Sequence, residues 1–305
     1  MPVALVMWMW RHATALLALT FKPSRGLVGS EAPATAGLSE CGTTRSSANA
    51  SRALALAVHR LGRATTGSVL VIGANVGAVQ NDPTFAMLAS PSMAAIDKVF
   101  VEPMPALFRQ LQANVANMSR ANAVNAAIAN VSGHVDMYCF GDFSGKDGHP
   151  HGKMVSFLKE CKCSSQLCSM SKARLFSRYD VLSKASNSHT RGMVEELITS
   201  TQVPALTVKK LLHHHVPAAS PVVFVQIDVE GFDDHVLASL PLGDALGAAG
   251  SSFAPHAIVF EHVLLGEQRL QAAMDRLRTF GYAGCIDQQN VVAVLGRGVT
   301  RKDTR

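Results

Sequence analysis

Two carboxylates close the most apolar strand pattern in the chain. Val222 to Ile227 reads as a parallel strand buried on both faces, and it runs into Gln226-Ile227-Asp228-Val229-Glu230-Gly231-Phe232. Asp228 and Glu230 therefore fall where the chain leaves the sheet, and Gly231 permits a turn that points them at a ligand. Carboxylates so placed can hold a substrate hydroxyl, bind a metal or act as a general base. The competing reading has one of them capping the helix expected from near Asp233. The next strand pattern, Ala257 to Phe260, ends in Glu261 and His262, which adds an acid and an imidazole at the corresponding place. A purely structural His262 is the alternative there.

Two earlier strand ends carry groups suited to a nucleoside. Ser68 to Ile72 reads as a buried strand that ends in Gly73-Ala74-Asn75-Val76-Gly77. Open α/β sheets bind nucleotides at the carboxyl ends of their strands, and glycines there let backbone approach a ligand. A dinucleotide fingerprint needs G-x-G-x-x-G against a pyrophosphate. Asn75 stands where its middle glycine belongs, which argues against a nicotinamide-dependent oxidoreductase. The next strand, Lys98 to Val101, ends in Glu102, whose carboxylate can accept hydrogen bonds from both hydroxyls of a ribose. Alone, the loop is an ordinary strand-to-helix turn and the acid a solvated strand end. Together, one strand apart, they favour a nucleoside site.

Cys161, Cys163 and Cys168 lie near His149 and His151, thiolates and imidazoles that could assemble a tetrahedral zinc site. Paired C-x-x-C knuckles are absent, so reduced thiols or a local disulfide compete with that reading. The chain is too long, and its 6 cysteines too unevenly spaced, for a disulfide scaffold, so the fold is expected not to depend on bridges. His213, His214 and His215 read as a polar helix end.

Alternating strand and helix patterns must position these groups. Ser51 can cap a helix through Leu54, Val58 and Leu61 ahead of the first strand. Pro105 opens a helix at its first position, with Leu107, Phe108, Leu111 and Val115 on one face. Ala123 to Ile128 forms a third, weaker strand, and Val131 to Phe140 alternates with period two. Glu267 to Leu277 is an amphipathic helix. Ala283 to Asp287 and Val291 to Leu295 form a terminal hairpin around Gln288 and Gln289. The alternation predicts an α/β fold, a mostly parallel sheet with helices on both faces. Residues 141–203 break the rhythm; rich in Gly, Ser, Lys, His and Cys, they read as an insertion over the active-site face, helical around Val194 to Thr199.

With 305 residues, 48% of them hydrophobic, the chain can bury a continuous core. Its formal charge of +6 is scattered and not interleaved with aromatics, so it reads as solubility, and no nucleic-acid partner is expected. Residues 1–52 differ from the rest as a targeting or anchor segment plus linker. Met1 to Trp10 is almost wholly apolar, Arg11 and His12 interrupt it, and Ala13 to Phe21 resumes it. A spanning helix would hold Arg11 near mid-bilayer at a cost of about 2.5–3.5 kcal/mol. A secretory signal or membrane anchor, an organelle transit peptide and a plain apolar extension stay open, and with them the compartment and any membrane association. Asn49, Asn117 and Asn130 begin N-x-S sequons, matches that chance alone supplies in such a chain.

The ordered series V-I-G-A-N-V-G, V-F-V-E-P-M-P-A-L-F-R-Q-L-Q-A-N, V-N-A-A-I-A-N-V-S-G, T-V-K-K-L-L, F-V-Q-I-D-V-E-G-F-D-D-H-V-L and I-V-F-E-H resembles the FkbM-type methyltransferases over residues 67–140 and 203–285. The resemblance implies a Rossmann-like class I methyltransferase domain over 53–300, with a seven-stranded sheet, an antiparallel last strand and S-adenosylmethionine as cofactor. It also implies methyl transfer to a hydroxyl, on a sugar, lipid or small metabolite. Carried over by position, Gly73, Asn75, Gly77 and Glu102 would bind the cofactor, while Asp228, Glu230 and Glu261 would line the acceptor side. Asp228 is the preferred base or metal-assisted orienter, His262 the second, and Glu230 would position the acceptor. The family pattern has Asp where this chain has Val71 and Lys209. Val71 removes a partner for the cofactor's amino group, which prompts the alternative of a binding or scaffold protein with weakened catalysis; Lys209 bears on a local helix cap.

Overall fold

Side chains that alternate between two apolar faces require a sheet covered on both sides, and the chain builds one. The computed structural model describes residues 66–77, 83–141, 167–176, 195–246, 251–287 and 289–296, all within a unit spanning Leu38–Arg305. The N-terminal segment, the helix expected after Ser51, His149, His151, Cys161 and Cys163 lie outside the described residues.

In chain order the elements begin with β1 (Ser68–Ile72), α1 (Pro83–Leu88), a 3-10 turn (Pro91–Met93), β2 (Asp97–Val101) and α2 (Pro105–Val115). β3 (Ala121–Val124), β4 (Ala127–Ile128), β5 (Gly133–Phe140), β6 (Cys168–Ser169) and β7 (Ile198–Leu206) follow. Then come α3 (Val208–His215), β8 (Val222–Ile227), α4 (Asp233–Ser239) and the short pair β9 (Ala245–Leu246) and β10 (Ser251–Ser252). β11 (Ala257–Glu261), α5 (Gly266–Thr279), β12 (Tyr282–Asp287) and β13 (Asn290–Leu295) complete the series.

The main sheet is 7-stranded, in the order β12-β13-β11-β8-β1-β2-β3. β1 pairs in parallel with β2 and β8, and β8 with β11, whereas the last strand, β13, runs antiparallel to both its neighbours. This is the Rossmann-like class I order. Leu70, Ile72, Val225 and Ile227 face a core closed by Leu211 of α3, Leu237 of α4 and Leu277 of α5. Val69, Val71 and Phe100 face the other core, closed by Leu88, Met93 and Leu111. α2 starts at Pro105 as expected and buries Leu107, Leu111 and Val115. Thr207 caps α3 by accepting the Lys210 N–H at 3.2 Å, so Lys209 sits inside the first turn and leaves the cap to Thr207.

Two expectations need correction. The strand read from Ala123 to Ile128 is split: β3 stays in the main sheet, while β4 joins a 4-stranded sheet ordered β4-β7-β5-β6. Between them Asn125 donates its side-chain amide to the carbonyls of Glu102 and Pro103, both at 2.9 Å, and this pins the crossing point to the end of β2. Of the partly helical stretch expected around Val194 to Thr199, Val194 lies outside the described residues, Glu195 is helical, and from Ile198 the chain is instead β7, which pairs antiparallel with all of β5 from Phe140↔Ile198 to Gly133↔Ala205. A full ladder with β5 outweighs weak local helix preference in a segment carrying Ile198, Thr199, Thr201 and Val203. Among the described residues no helix is long and apolar enough to cross a membrane.

Candidate active site

The cleft at the carboxyl edge of the main sheet starts from a backbone constraint. The Gly73 N–H and the Ala74 N–H both donate to the Val101 carbonyl at 2.9 Å, so the loop after β1 folds directly over the end of β2. Gly73 has φ +84, and a Cβ there would lie 1.7 Å from the Asp228 carbonyl oxygen. Only glycine lets the first loop and the turn after β8 come this close. Gly77 meets a different need: a Cβ would lie 2.6 Å from the Phe85 ring and 2.9 Å from Leu111, so it seats the loop on α1 and α2 and does not line the cleft.

Glu102 joins the loop to the end of β2. One carboxylate oxygen accepts the Asn75 N–H at 2.9 Å, the other the Met104 N–H at 2.8 Å. Asn75 takes the left-handed conformation, φ 51, which turns its N–H toward the acid, and its own side-chain oxygen accepts the Val76 N–H at 2.7 Å. Burial pushes the Glu102 carboxyl up to about 7, against the pull of its two backbone donors and with help from the Asp228 charge. That mutual influence fits their placement: Gly73, Asn75, Glu102, Asp228 and Glu230 line one cleft.

Asp233 organises the turn after β8, a role missed by reading it only as the start of a helix. Its side chain is fully buried and accepts the Gly231 N–H at 3.1 Å and the Val229 N–H at 3.4 Å. Neither Asp228 nor Glu230 caps α4, whose N-cap position is Phe232 with no side-chain cap. Glu230 has φ 51, so the turn holds a strained residue whose carboxylate belongs to the cleft. Burial, then the charges of Asp228 and Glu261, raises Asp233 well above the usual carboxylate range. Arg269 pairs with Asp234 and donates to the Gly231 carbonyl at 3.0 Å, bracing the turn from α5.

Glu261 and His262 do not line the cleft. Glu261 is buried at the end of β11, where its charge acts on Asp233. The His262 N–H donates to the Gln289 carbonyl at 2.9 Å, which ties the β11 end to the terminal hairpin.

The opposite wall carries sulfur. Met104, Met137, Cys168 and Met170 line the cleft, together with Ala126, Ala127 and Ile128. Cys168 and Met170 come from the segment read as an insertion over the active-site face. Cys168 is bonded to Cys139, so β6 is stapled to β5. This corrects two expectations: Cys168 has no thiolate to offer zinc, and a bridge does hold part of the fold. Among the described residues no group of three or more His, Cys, Asp and Glu could hold a metal ion. Uneven cysteine spacing concealed the pairing, because the partners sit 29 residues apart and meet only when β5 and β6 pair.

A family model described as the methyltransferase FkbM domain matches residues 72–282. No curated protein sequence matches the chain. Among solved structures, the chain is similar to the precorrin-6y C5,15-methyltransferase of Geobacter metallireducens GS-15, at 13% identity over 79% of this chain and 84% of that one, with TM-score 0.33. It is also similar to Aeropyrum pernix fibrillarin, solved with natively bound S-adenosyl-L-methionine, at 10% identity over 81% of this chain and 76% of that one, with TM-score 0.32. At these scores neither structure bears on the residues of the site. The family match runs from the end of β1 to the start of β12 and so takes in the whole cleft; the chain belongs to the FkbM methyltransferase family, with S-adenosylmethionine as its methyl donor.

Proposed function

We propose that the chain is an O-methyltransferase whose acceptor is a hydroxyl on a sugar, lipid or small metabolite. One observation carries the reading: the nucleoside-type groups Gly73, Asn75 and Glu102 line the same cleft as the carboxylates Asp228 and Glu230. The donor fits the residues present. Each Glu102 oxygen accepts one backbone N–H, which leaves a lone pair on each for a ribose hydroxyl. The thioethers of Met104, Met137 and Met170 offer polarisable contacts to a purine ring. The bound donor supplies an electrophilic methyl group, so the protein's task is alignment and proton removal.

In this reading Asp228 would accept the alcohol proton as the acceptor oxygen takes the methyl group from the donor's sulfur, and Glu230 would hydrogen-bond and aim the acceptor. Asp233 keeps both in place by holding the turn that carries them. His262 and Glu261 act behind this turn as positioning groups. The test is calorimetry with S-adenosylmethionine, followed by transfer of its labelled methyl group to a panel of alcohols. Absence of binding heat at millimolar ligand would sink the enzyme reading.

Val71 favours one second reading, a binding or scaffold protein with weakened catalysis. Its side chain is only 5% exposed and packs in the core with Val69 and Phe100, so an apolar residue occupies the place of the family's acid. Binding heat without transfer to any alcohol would support it.

A further inference from the structure

We propose that Asn117 carries an N-linked glycan, added in an oxidising secretory compartment through which the chain passes. The modification is independent of the methyl acceptor.

Glycan transfer to asparagine needs an Asn-x-Ser or Asn-x-Thr sequence, and the folded product needs an exposed side chain whose amide nitrogen the fold does not use. Asn117-Met118-Ser119 meets both conditions. Asn117 is exposed, in the turn between α2 and β3. Nearby asparagines outside the sequons are engaged differently. The amide nitrogen of Asn114 donates to the Val76 carbonyl at 2.7 Å, and that of Asn125 to the carbonyls of Glu102 and Pro103. Among the described residues nothing bonds the Asn117 amide, so a sugar there displaces no contact of the fold.

The turn that carries Asn117 is fixed and lies away from the donor cleft. The buried Lys98 ammonium donates to the Ser119 carbonyl at 2.9 Å, and the Met118 N–H to the Val115 carbonyl at 2.9 Å. The Lys98 N–H donates to the Arg120 carbonyl at 2.8 Å, which sets the turn against the beginning of β2, whereas the cleft lies at the other end of that strand. α2 runs between the two levels, and its 11 residues separate them by about 16 Å. A large substituent on Asn117 therefore leaves the cleft open. Asn130, in the second described sequon, is exposed as well, but it lines another cleft with Tyr138 and Phe232, which a glycan would obstruct. Asn49 lies outside the described residues.

The cysteines point to the compartment. Cys139, Cys168 and Cys285 are all disulfide-bonded, and among the described residues no thiol is free. Such bonds persist where the surroundings are oxidising and are kept reduced in the cytosol. N-linked glycans are added in the same secretory space. The apolar runs Met1 to Trp10 and Ala13 to Phe21 fit a route into it, so the disulfides favour the secretory reading of residues 1–52 over an organelle transit peptide. In the transfer itself the Asn117 Nδ2 forms a bond to the anomeric carbon of an oligosaccharide carried on a lipid diphosphate. The bond from that carbon to the diphosphate oxygen breaks, the amide gives up one proton, and the lipid diphosphate leaves.

The test expresses the full chain in a eukaryotic cell line and digests it with a peptide N-glycosidase in heavy-oxygen water. Removal of an N-linked glycan converts its Asn to an Asp that carries the heavy oxygen. Mass spectrometry of the tryptic peptide Gln110 to Arg120 should show that label on Asn117 as the predominant form, and none without the glycosidase. Ser119→Ala should abolish the label and Ser119→Thr should keep it, which separates glycan removal from deamidation. An unlabelled Asn117 overturns the inference, whether the chain is recovered from the secretory fraction, the cytosol or an organelle. So does a label on Asn130 alone, or one that survives in Ser119→Ala.

Discussion

The carboxylate of Glu102 reaches from the end of β2 to the loop after β1 and accepts the Asn75 N–H at 2.9 Å. That bond couples the two strand ends that we propose as the cofactor half of the cleft, and it makes the site sensitive to the charge on one buried acid.

Glu102 should therefore trade stability for binding. Its carboxyl is pushed from 4.5 up to about 7 by burial, so between those values the folded state holds a proton that the unfolded state has lost. Stability falls as pH rises across that window, by on the order of 3 kcal/mol in full. Donor affinity moves the other way, because the ionised form accepts ribose hydroxyls best. Glu102→Gln should flatten the loss of stability seen by denaturant unfolding at pH 5 and pH 8, and weaken S-adenosylhomocysteine binding about tenfold or more.

Gly73→Ala should be severe. The added Cβ would sit 1.7 Å from the Asp228 carbonyl oxygen, at a φ of +84 that L-residues rarely adopt. Thermal unfolding should show a cost of about 2–4 kcal/mol, and calorimetry should show donor binding lost. A variant of wild-type stability would mean that the loop and the β8 turn are not in contact.

Asp228→Asn keeps the side-chain size and removes the base. Donor affinity should change less than about threefold, while labelled methyl transfer falls about a hundredfold or more. Full activity in this variant eliminates the proposed role.

Asp233→Ala removes the acceptor for two backbone N–H groups, on Gly231 and Val229. Leaving them unmatched should cost about 1–3 kcal/mol in denaturant unfolding. Turnover should drop more than donor affinity, because the relaxed turn carries Asp228 and Glu230 and not the ribose site.

Reduction of the Cys139–Cys168 bond releases β6 from β5. The expected loss is about 2–4 kcal/mol, read as a lower melting temperature in the presence of a phosphine reductant. S-adenosylhomocysteine affinity should fall as well, since Cys168 and Met170 wall the cleft. Cys139→Ser should reproduce both effects without reductant.

Some of this was legible in the residues alone because it depends on local pattern. Apolar runs at Ser68 to Ile72 and Val222 to Ile227 mark the strands; Gly73 and the carboxylates Glu102 and Asp228 mark where they end. A strand end in a parallel sheet is also a place on one edge, so these groups could be assigned to a common side before any coordinates. Pro105, with apolar residues at helical spacing after it, likewise determined α2.

What the tertiary structure decided is every relation between distant partners. Ile198 and Thr199 became strand because β5 was there to pair with them. Asn125 split the third strand because the carbonyls after β2 were within reach. Glu261 and His262, similar on paper to Asp228 and Glu230, do not line the cleft; Glu261 is buried where its charge raises Asp233, and the His262 N–H bonds to the terminal hairpin. Periodicity records how strongly a residue is drawn out of water, but register, disulfide pairing and the wall a side chain joins arise only from elements packed against one another.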